Sequence, residues 1–354
     1  MSSLFDPLTI RGLTFSNRIW VSPMCQYSAV DGVATQWHDV HIGSFATGGT
    51  GMIMMEATGV VPEGRISTAC LGLWNEEQTN RLKPIVAFAH SMGTKIGIQL
   101  AHAGRKASCL PPWSDHPMAS KEEGGWDCVA PSAISFGGKY PVPKALSIPE
   151  IKNLVSAFAD SARRAVNAGF DLVEIHAAHG YLIHQFLSPI SNQRDDEYGG
   201  SFENRTRFIL EIAREVRKAI PDSMPLFVRI SASDWLEDGW TIDESVQLCS
   251  LLKEVGVDLI DVSSGGTSSG APVPVGPGYQ VPFAERIRRE SMIPTCAVGL
   301  ITEPKQADEI VRGGRADAVM MAREFLRNPR WPLQAAKELN AEVTWPNQLL
   351  RGKS

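Results

Sequence analysis

The segment from Glu174 to Leu182 carries the residues best suited to chemistry. It contains two histidines and a tyrosine, His176, His179 and Tyr181, directly after an apolar run that predicts a buried strand. In α/β proteins the carboxyl ends of strands are where ligands bind. Two N–H donors suit a developing oxyanion, and a phenol suits a proton donor. Two alternatives stay open: satisfied core histidines, or a zinc pair, although two ligands without a third nearby make an incomplete zinc site.

The segments around this motif alternate short apolar runs with longer amphipathic ones. The apolar runs predict strands at 18–22, 51–58, 95–100, 171–176, 225–230, 258–262, 294–298 and 317–321. The amphipathic segments predict helices at 76–92, 149–168, 202–220, 242–255, 283–290 and 303–312. This α/β pattern favours a (β/α)8 TIM barrel over an open dinucleotide-binding sheet, because no Gly-x-Gly-x-x-Gly follows the first strand.

Three segments lie outside the repeated βα units. Residues 8–15 predict an N-terminal hairpin that plugs the barrel floor. Residues 101–147, rich in Pro, Gly, Trp and Ser, form a long insertion after strand three, which we expect to cover the catalytic face as a lid. Residues 339–354 form a C-terminal tail, and we expect residues 1–354 to make a single domain.

The composition excludes several classes of protein. Of 354 residues (38.6 kDa), 43% are hydrophobic and 21% charged, which is typical of a globular protein with a large core. A net charge of −5 gives no basic footprint for nucleic acid or a membrane surface. The six cysteines form no C-x-x-C pair, which indicates free thiols in a reducing compartment. Because the N-terminus lacks a signal-peptide pattern, we expect a cytoplasmic protein.

Other predicted strand ends carry residues that suit a flat, polar ligand. Cys25 and Tyr27 follow strand one, although Cys25 taken alone is equally typical of a small buried thiol. Ala57, after strand two, is small enough to let a ring approach, and the carboxamide of Gln99 in strand three matches an imide edge. Arg229 is a lone cation in the apolar fifth strand. It needs either a ligand anion or a structural ion-pair partner.

The ends of strands seven and eight suit a phosphate. The loops after these two strands form the usual phosphate site of a TIM barrel. Gly299 would allow close backbone approach there, and Arg323 would supply positive charge. A phosphate grip, a carboxamide, a buried cation and a thiol together describe a flavin mononucleotide (FMN) site, with His176, His179 and Tyr181 facing its open side.

Long motifs, in order and correctly spaced over essentially the whole chain, resemble the old yellow enzyme family of FMN-dependent ene-reductases. The motifs are SPMCQY at 22–27, QLAHAGRK at 99–106, EIHAAHGYL at 174–182, NQRDDEYGGS at 192–201 and ENR at 203–205. Within that family the chain is similar to the thermophilic-like subgroup, whose marker is the cysteine at position 25.

The resemblance implies a role for each matching residue. The implied flavin contacts are Ser22, Pro23, Met24, Cys25, Ala57, Gln99, Arg229, Gly299, Ala322 and Arg323. The implied catalytic and substrate-binding residues are His176, His179, Tyr181 and Tyr27, with Cys25 tuning the flavin. FMN would be bound non-covalently, NADPH would be the reductant, and no metal is expected.

The C-terminal motif WPNQLLRG at 345–352 also matches the subgroup. There, an arginine in such a tail reaches the active site of the neighbouring subunit, which implies a homodimer or homotetramer in which Arg351 binds substrate in trans. Leu349 and Leu350 stand where some relatives have aromatic residues, so the register of this arginine is less well defined.

The resemblance implies reduction of activated alkenes (enones, enals, maleimides or nitro compounds) by ping-pong transfer of hydride from NADPH through the flavin. Two other classes stay open on the residues alone. A flavin-free barrel lyase or aldolase would need a lysine at a strand end or a metal site, but Lys95 begins its strand and Lys106 lies in a loop. A non-catalytic FMN-binding protein would leave His176, His179 and Tyr181 without a role.

Overall fold

A computed structural model describes residues 3–353 of the chain. Its strands are Leu8–Ile10 (β1), Leu13–Phe15 (β2), Ile19–Val21 (β3), Met52–Gly59 (β4), Lys95–Ala101 (β5), Val129–Ala130 (β6), Lys144–Ala145 (β7), Leu172–Ala177 (β8), Leu226–Ser231 (β9), Leu259–Ser263 (β10), Thr295–Ala297 (β11) and Ala318–Met321 (β12). Its α-helices are Gln36–Ala46 (α1), Glu76–Ser91 (α2), Ile148–Ala168 (α3), Leu182–Leu187 (α4), Phe202–Ala219 (α5), Ile242–Glu254 (α6), Val281–Ser291 (α7), Pro304–Arg312 (α8), Arg323–Arg327 (α9) and Trp331–Glu338 (α10).

Eight of these strands close into a parallel barrel in the order β3-β4-β5-β8-β9-β10-β11-β12, with β12 paired back to β3. Each strand coincides with one of the eight predicted from sequence, displaced at its ends by one residue at most. The (β/α)8 prediction is therefore confirmed. All six predicted helices are present, whereas α1, α4, α9 and α10 were missed.

The N-terminal hairpin closes the barrel floor, as predicted. Strands β1 and β2 pair antiparallel, and Phe15 at the end of β2 is fully buried. Its ring centroid lies 4.8 Å from that of Trp20 on β3 and 6.3 Å from that of Phe227 on β9. Interior side chains from the other barrel strands complete this apolar layer, so the amino-terminal half of the barrel is a packed core and not a channel.

Two helices show how the βα units are terminated. Helix α3 begins with a capping box between Ser147 and Glu150 and ends at Ala168, where its C-cap Gly169 is left-handed (φ 94°). The end of α8 has a different backbone geometry. Gly313 is its C-cap but keeps a helical backbone (φ −75°), and the left-handed residue is Gly314 (φ 67°).

The insertion at 101–147 contains little regular structure. It holds a 3-10 turn at Gly104–Lys106 and the two-residue strands β6 and β7, which pair with each other. Its action as a lid stays a prediction. Among residues 3–353, no helix is both long and apolar enough to cross a membrane.

Candidate active site

The histidines and the tyrosine of the 174–182 motif meet at the carboxyl end of β8. Side chains alternate along β8, which is buried on both faces, and His176 points into the barrel. After the strand the chain turns at His179, whose backbone is left-handed (φ 60°). The His179 N–H donates to Ser231 Oγ at 2.9 Å, which fixes this turn. The ring centroid of His176 lies 5.2 Å from that of His179 and 5.0 Å from that of Tyr181. The structure therefore brings all three predicted groups together.

Hydrogen bonds assign the protons of both imidazoles. Nδ1 of His176 accepts from the backbone N–H of Ala178 at 3.2 Å, so the neutral ring carries its proton on Nε2. Nε2 of His179 lies 2.7 Å from Ser263 Oγ. The other acceptor near that hydroxyl, Gln280 Oε1, is 3.3 Å away and already accepts from Ser264 Oγ at 2.6 Å. The Ser263 hydroxyl can donate to either atom; donation to the nearer one, His179 Nε2, puts the histidine's own proton on Nδ1.

With the Ser263 proton on His179 Nε2, the two N–H groups that remain free are Nε2–H of His176 and Nδ1–H of His179. Across residues 3–353 neither has a hydrogen-bond partner, and neither belongs to the buried polar atoms that lack one. Burial, followed by the nearby charge of Arg229, holds the pKa of both histidines well below its usual range. Both rings are consequently neutral near pH 7, and each offers one free N–H donor.

Tyr181 and Tyr27 border the same space, and both are touched by the insertion. The ammonium of Lys106 lies 5.1 Å from the centre of the Tyr181 ring and donates to the His179 carbonyl at 2.8 Å. The ring of Tyr27 packs edge-on against Trp113, with centroids 5.7 Å apart. Burial raises the pKa of Tyr181 well above its usual value, so its phenol keeps the proton that a general acid needs.

A group of buried polar side chains lies inside the barrel next to the histidines, with Arg229 paired in register with His176. The strand register sets Ala57 beside Gln99, Gln99 beside Glu174, and Arg229 beside Asp261. Gln99 Nε2 donates to Glu174 Oε1 at 2.8 Å. Because Ala57 has almost no side chain, the wall around this group leaves room above Gln99.

Arg229 has a counter-ion in the structure. Its Nε lies 3.1 Å from Asp261 Oδ2 without hydrogen-bond alignment, so the contact is an ion pair, and its Nη1 donates to Ser22 Oγ at 3.1 Å. The structural ion pair that the sequence left open is therefore present. Burial and the nearby Asp261 raise the pKa of Glu174 to about 8, so Glu174 is mostly protonated at neutral pH.

A β-bulge places the residues around Cys25. The register of β4 against β5 slips at Glu56, which lets Ala57 face the barrel interior while the Glu56 carboxylate turns towards α1. There it lies 3.3 Å from His38 Nε2 and accepts from the Gln26 N–H at 3.1 Å. Contact with Cys70, together with burial, raises the pKa of the Cys25 thiol, which is therefore protonated and not a thiolate nucleophile.

The residues predicted to hold a phosphate line a separate cavity of about 230 Å³ at the ends of β11 and β12. Gly299, Ala322 and Arg323 all contribute to its wall. Gly299 has a φ of 121°, and a Cβ there would stand 2.8 Å from Gln280 Nε2, so only glycine fits. The guanidinium of Arg323 is exposed and has no hydrogen bond or ion pair within the described part of the chain. An unpaired cation at the mouth of a small polar cavity suits a phosphate.

The remaining predicted residues lie at the edge of this arrangement or outside it. Pro23 and Met24 are half-buried directly after β3, and Met24 packs on the main core. Arg351 is exposed in a 3-10 turn, Asn347–Gly352, and the structure gives it no bonded partner among residues 3–353. The tail around it lines a cavity of about 500 Å³ against α10, which none of the other predicted site residues enters.

Sequence reasoning missed the residues that hold the predicted ones. Asp261 and Ser263 alternate inward along β10, and this spacing in an apolar strand was an available signal. His38, Glu56 and Cys70 gave no such signal, because they come from separate segments that only the fold joins.

These groups fit FMN. The unpaired cation and the Gly299 wall suit its phosphate, the small Ala57 leaves room for a ring, and the Gln99 amide and buried Arg229 suit the polar edge of that ring. Fold and site therefore define a TIM-barrel flavoenzyme.

Comparison with known proteins gives the family. Residues 3–342 match the profile of the NADH:flavin oxidoreductase / NADH oxidase family, and the chain belongs to it. An NADPH dehydrogenase of Geobacillus thermodenitrificans is 51% identical over 351 residues, covering 99% of this chain and 98% of the relative. An NADH:flavin oxidoreductase of Gibberella zeae is 48% identical over 366 residues, covering 98% and 88%. The solved old yellow enzyme homologue from Zymomonas mobilis superposes with a TM-score of 0.78 at 28% identity, covering 97% and 94%.

The resemblance to the old yellow enzymes is thus confirmed. The chain is an NAD(P)H-dependent flavin oxidoreductase of that type, with FMN as its cofactor and NADPH as its reductant. A flavin-free lyase and a non-catalytic FMN-binding protein are both excluded as its class.

Proposed function

We propose that the protein reduces the C=C bond of alkenes activated by a carbonyl or nitro group. The observation that carries the proposal is the pair of free N–H donors, His176 Nε2 and His179 Nδ1, on two neutral rings 5.2 Å apart. Two convergent donors suit one oxygen that gains negative charge during the reaction. Carbonyl and nitro oxygens of enones, enals, maleimides and nitroalkenes all have this property.

When bound in this site, FMN would supply the redox chemistry, which is hydride transfer from NADPH to the β-carbon of the alkene in two separate half-reactions. The histidines orient the substrate through its oxygen and stabilise the charge that develops there. Both remain neutral throughout, because Arg229 and burial disfavour a charged imidazole. Their role is hydrogen-bond donation and not proton transfer.

Tyr181 supplies the proton to the α-carbon. Its hydroxyl has no hydrogen-bond partner within residues 3–353, and its ring stands edge-on to His176, 5.0 Å between centroids. A protonated phenol beside the oxygen-binding pair is placed to complete the reduction. Tyr27 borders the substrate space, where the neighbouring Trp113 and Lys106 belong to the 101–147 insertion. These contacts support the proposal that the insertion covers the site.

Cofactor binding is divided between the two ends of the site. We assign the phosphate to Gly299, Ala322 and Arg323, and the ring to the buried polar group and the end of β3. The ring contacts under this proposal are Ser22, Pro23, Met24, Cys25, Ala57, Gln99 and Arg229. Cys25, a neutral thiol, would tune the flavin and would not attack the substrate.

Arg351 acts across a subunit interface under this proposal. An exposed arginine without a bonded partner among the described residues, in a tail outside the barrel, is free to bind a neighbouring subunit. Truncation after Leu350 should leave FMN bound but weaken both substrate binding and self-association. Replacing exposed Lys353 by Ala is the matched control. A truncated protein with unchanged KM and oligomeric state would show that Arg351 is an ordinary surface residue.

The decisive experiment separates the two half-reactions. The purified protein should be yellow, lose its colour with NADPH under anaerobic conditions, and regain it on addition of cyclohexenone. His176→Ala or His179→Ala should slow recolouring by about 10²–10³-fold, the usual effect of removing one oxyanion donor. The exposed histidine His116, replaced by Ala, is the control. Reduction by NADPH without reoxidation by any activated alkene would contradict the proposed function and leave the family assignment intact.

A further inference from the structure

A group of soft and acidic ligands lies beside the active site, and of its three members only Cys25 also belongs to the proposed flavin contacts. The Sγ atoms of Cys25 and Cys70 and a carboxylate oxygen of Glu56 lie within 4.8 Å of one another. Cys70 is completely buried, Glu56 is 4% exposed, and Cys25 is half-buried. Three potential metal ligands thus converge at one point.

Separate segments of the fold build this group. Cys25 follows β3, Glu56 is the bulged residue of β4, and Cys70 lies in the loop between β4 and α2. The bulge is essential, because regular strand alternation would point the Glu56 side chain into the barrel and away from the two cysteines. Cys70 Sγ is held 3.2 Å from Ser67 Oγ.

The carboxylate already has the support that a metal ligand needs. His38 Nδ1 accepts from the Thr35 N–H at 3.0 Å, which leaves the proton on Nε2, facing Glu56 Oε1 at 3.3 Å. The Gln26 N–H donates to the other oxygen, Oε2, at 3.1 Å. Hydrogen bonds of this kind orient the metal-binding side chains of metalloproteins.

We propose that Cys25, Cys70 and Glu56 form a binding site for a soft divalent cation of the zinc class. Two thiolates and one carboxylate suit Zn²⁺ and Cd²⁺ and do not suit Mg²⁺ or Ca²⁺. Tetrahedral zinc with bonds of about 2.0–2.3 Å separates its ligand atoms by roughly 3.6–3.8 Å. Movement of about 1 Å by three side chains therefore closes the present group onto a cation. The thiols must lose their protons as the metal binds.

Such a cation would occupy the thiol that follows β3 and would not replace the catalytic groups, because His176, His179 and Tyr181 lie on β8 and its following turn. Its binding does not depend on alkene reduction. An absence of alkene reduction would therefore say nothing about cation binding, which is measured directly.

The test uses FMN-loaded protein with a non-coordinating thiol-free reductant and Cd²⁺ as the probe. Equilibrium dialysis should retain one Cd²⁺ per chain, with a new ultraviolet thiolate-to-cadmium absorption. Cys70→Ser, which preserves size and the contact with Ser67, should weaken binding by at least about 100-fold, since loss of outer contacts alone costs 10–100-fold. Glu56→Gln provides a second variant that should also weaken it, and Cys128→Ser, which changes a thiol outside the group, should not.

Zn²⁺ should displace the bound Cd²⁺, whereas a large excess of Mg²⁺ should not. Visible flavin absorption checks that each variant is folded and loaded. Failure of the unmodified protein to retain Cd²⁺, retention unchanged in Cys70→Ser, or displacement by Mg²⁺ would each overturn the proposal.

Discussion

Ser263→Ala tests whether a hydroxyl sets the proton position on His179. The Ser263 hydroxyl is 2.7 Å from His179 Nε2, and its donation there would keep the histidine's proton on Nδ1, the nitrogen that binds substrate under our proposal. Without the hydroxyl, the proton can move to Nε2. Nδ1 then becomes an acceptor and repels the developing oxyanion of the substrate.

The size of the effect follows from the single hydrogen bond that is lost. A neutral hydrogen bond contributes about 1 ± 0.5 kcal/mol net, so the ratio of the competent tautomer to its alternative should fall roughly 2- to 12-fold, which sets the largest slowing expected from this cause. Complete loss of one donor, at about 10²–10³-fold, is the upper limit. Reoxidation of the reduced protein by cyclohexenone should therefore slow by roughly fivefold, while reduction by NADPH is little changed. Stopped-flow absorbance of the flavin measures both rates, at saturating FMN.

The matched control is Ser264→Ala, because the Ser264 hydroxyl donates to Gln280 and does not contact His179. A double-mutant cycle separates positioning from general disturbance: in a His179→Ala background, Ser263→Ala should have no further effect. Equal effects of the two serine variants, or additive effects of Ser263→Ala and His179→Ala, would refute the assignment.

Three further predictions follow from the same geometry. Tyr181→Phe should slow reoxidation by cyclohexenone and leave reduction by NADPH largely intact, since only the second half-reaction needs its proton. Cys25→Ser should shift the flavin reduction potential while turnover survives, because the thiol is protonated and does not act as a nucleophile. Glu174→Gln should flatten the dependence of stability on pH. Burial and the nearby Asp261 raise the pKa of Glu174 to about 8 in the folded protein, whereas in the unfolded chain it is about 4.3. The free energy of unfolding therefore falls as pH rises between these two values.

Each of these has an outcome that contradicts it. Equal slowing of both half-reactions by Tyr181→Phe would indicate a binding role. Loss of all turnover in Cys25→Ser with FMN still bound would indicate covalent catalysis. For Glu174→Gln, the thermal unfolding midpoint minus that of the native protein should increase as pH rises from 5 to 8. The ceiling is several kcal/mol, at 1.36 kcal/mol per pKa unit, and a constant difference across this range would show that Glu174 is already ionised in the fold.

The barrel could be predicted because its signals are local. Apolar runs mark the strands and amphipathic segments mark most of the helices between them, and the strand-end position of His176 and His179 followed directly. Helix α4 was missed because all six of its residues are buried, so it has no amphipathic period to detect. Proton positions on the histidines could not be predicted, because Ser263 lies 84 residues beyond His179 and only barrel closure brings them together.

Arg229 shows most clearly what the fold adds to the sequence. The sequence offered two alternatives, a ligand anion or a structural ion pair, and treated them as exclusive. With Asp261 paired to Arg229 and Glu174 mostly protonated at neutral pH, this group carries a net charge near zero. Ionisation of Glu174 would change the net charge to −1 and oppose any anion near the group. The ability of Arg229 to stabilise a negatively charged ligand therefore depends on Glu174 keeping its proton, and the desolvation that raises the pKa of Glu174 makes the two roles of Arg229 compatible.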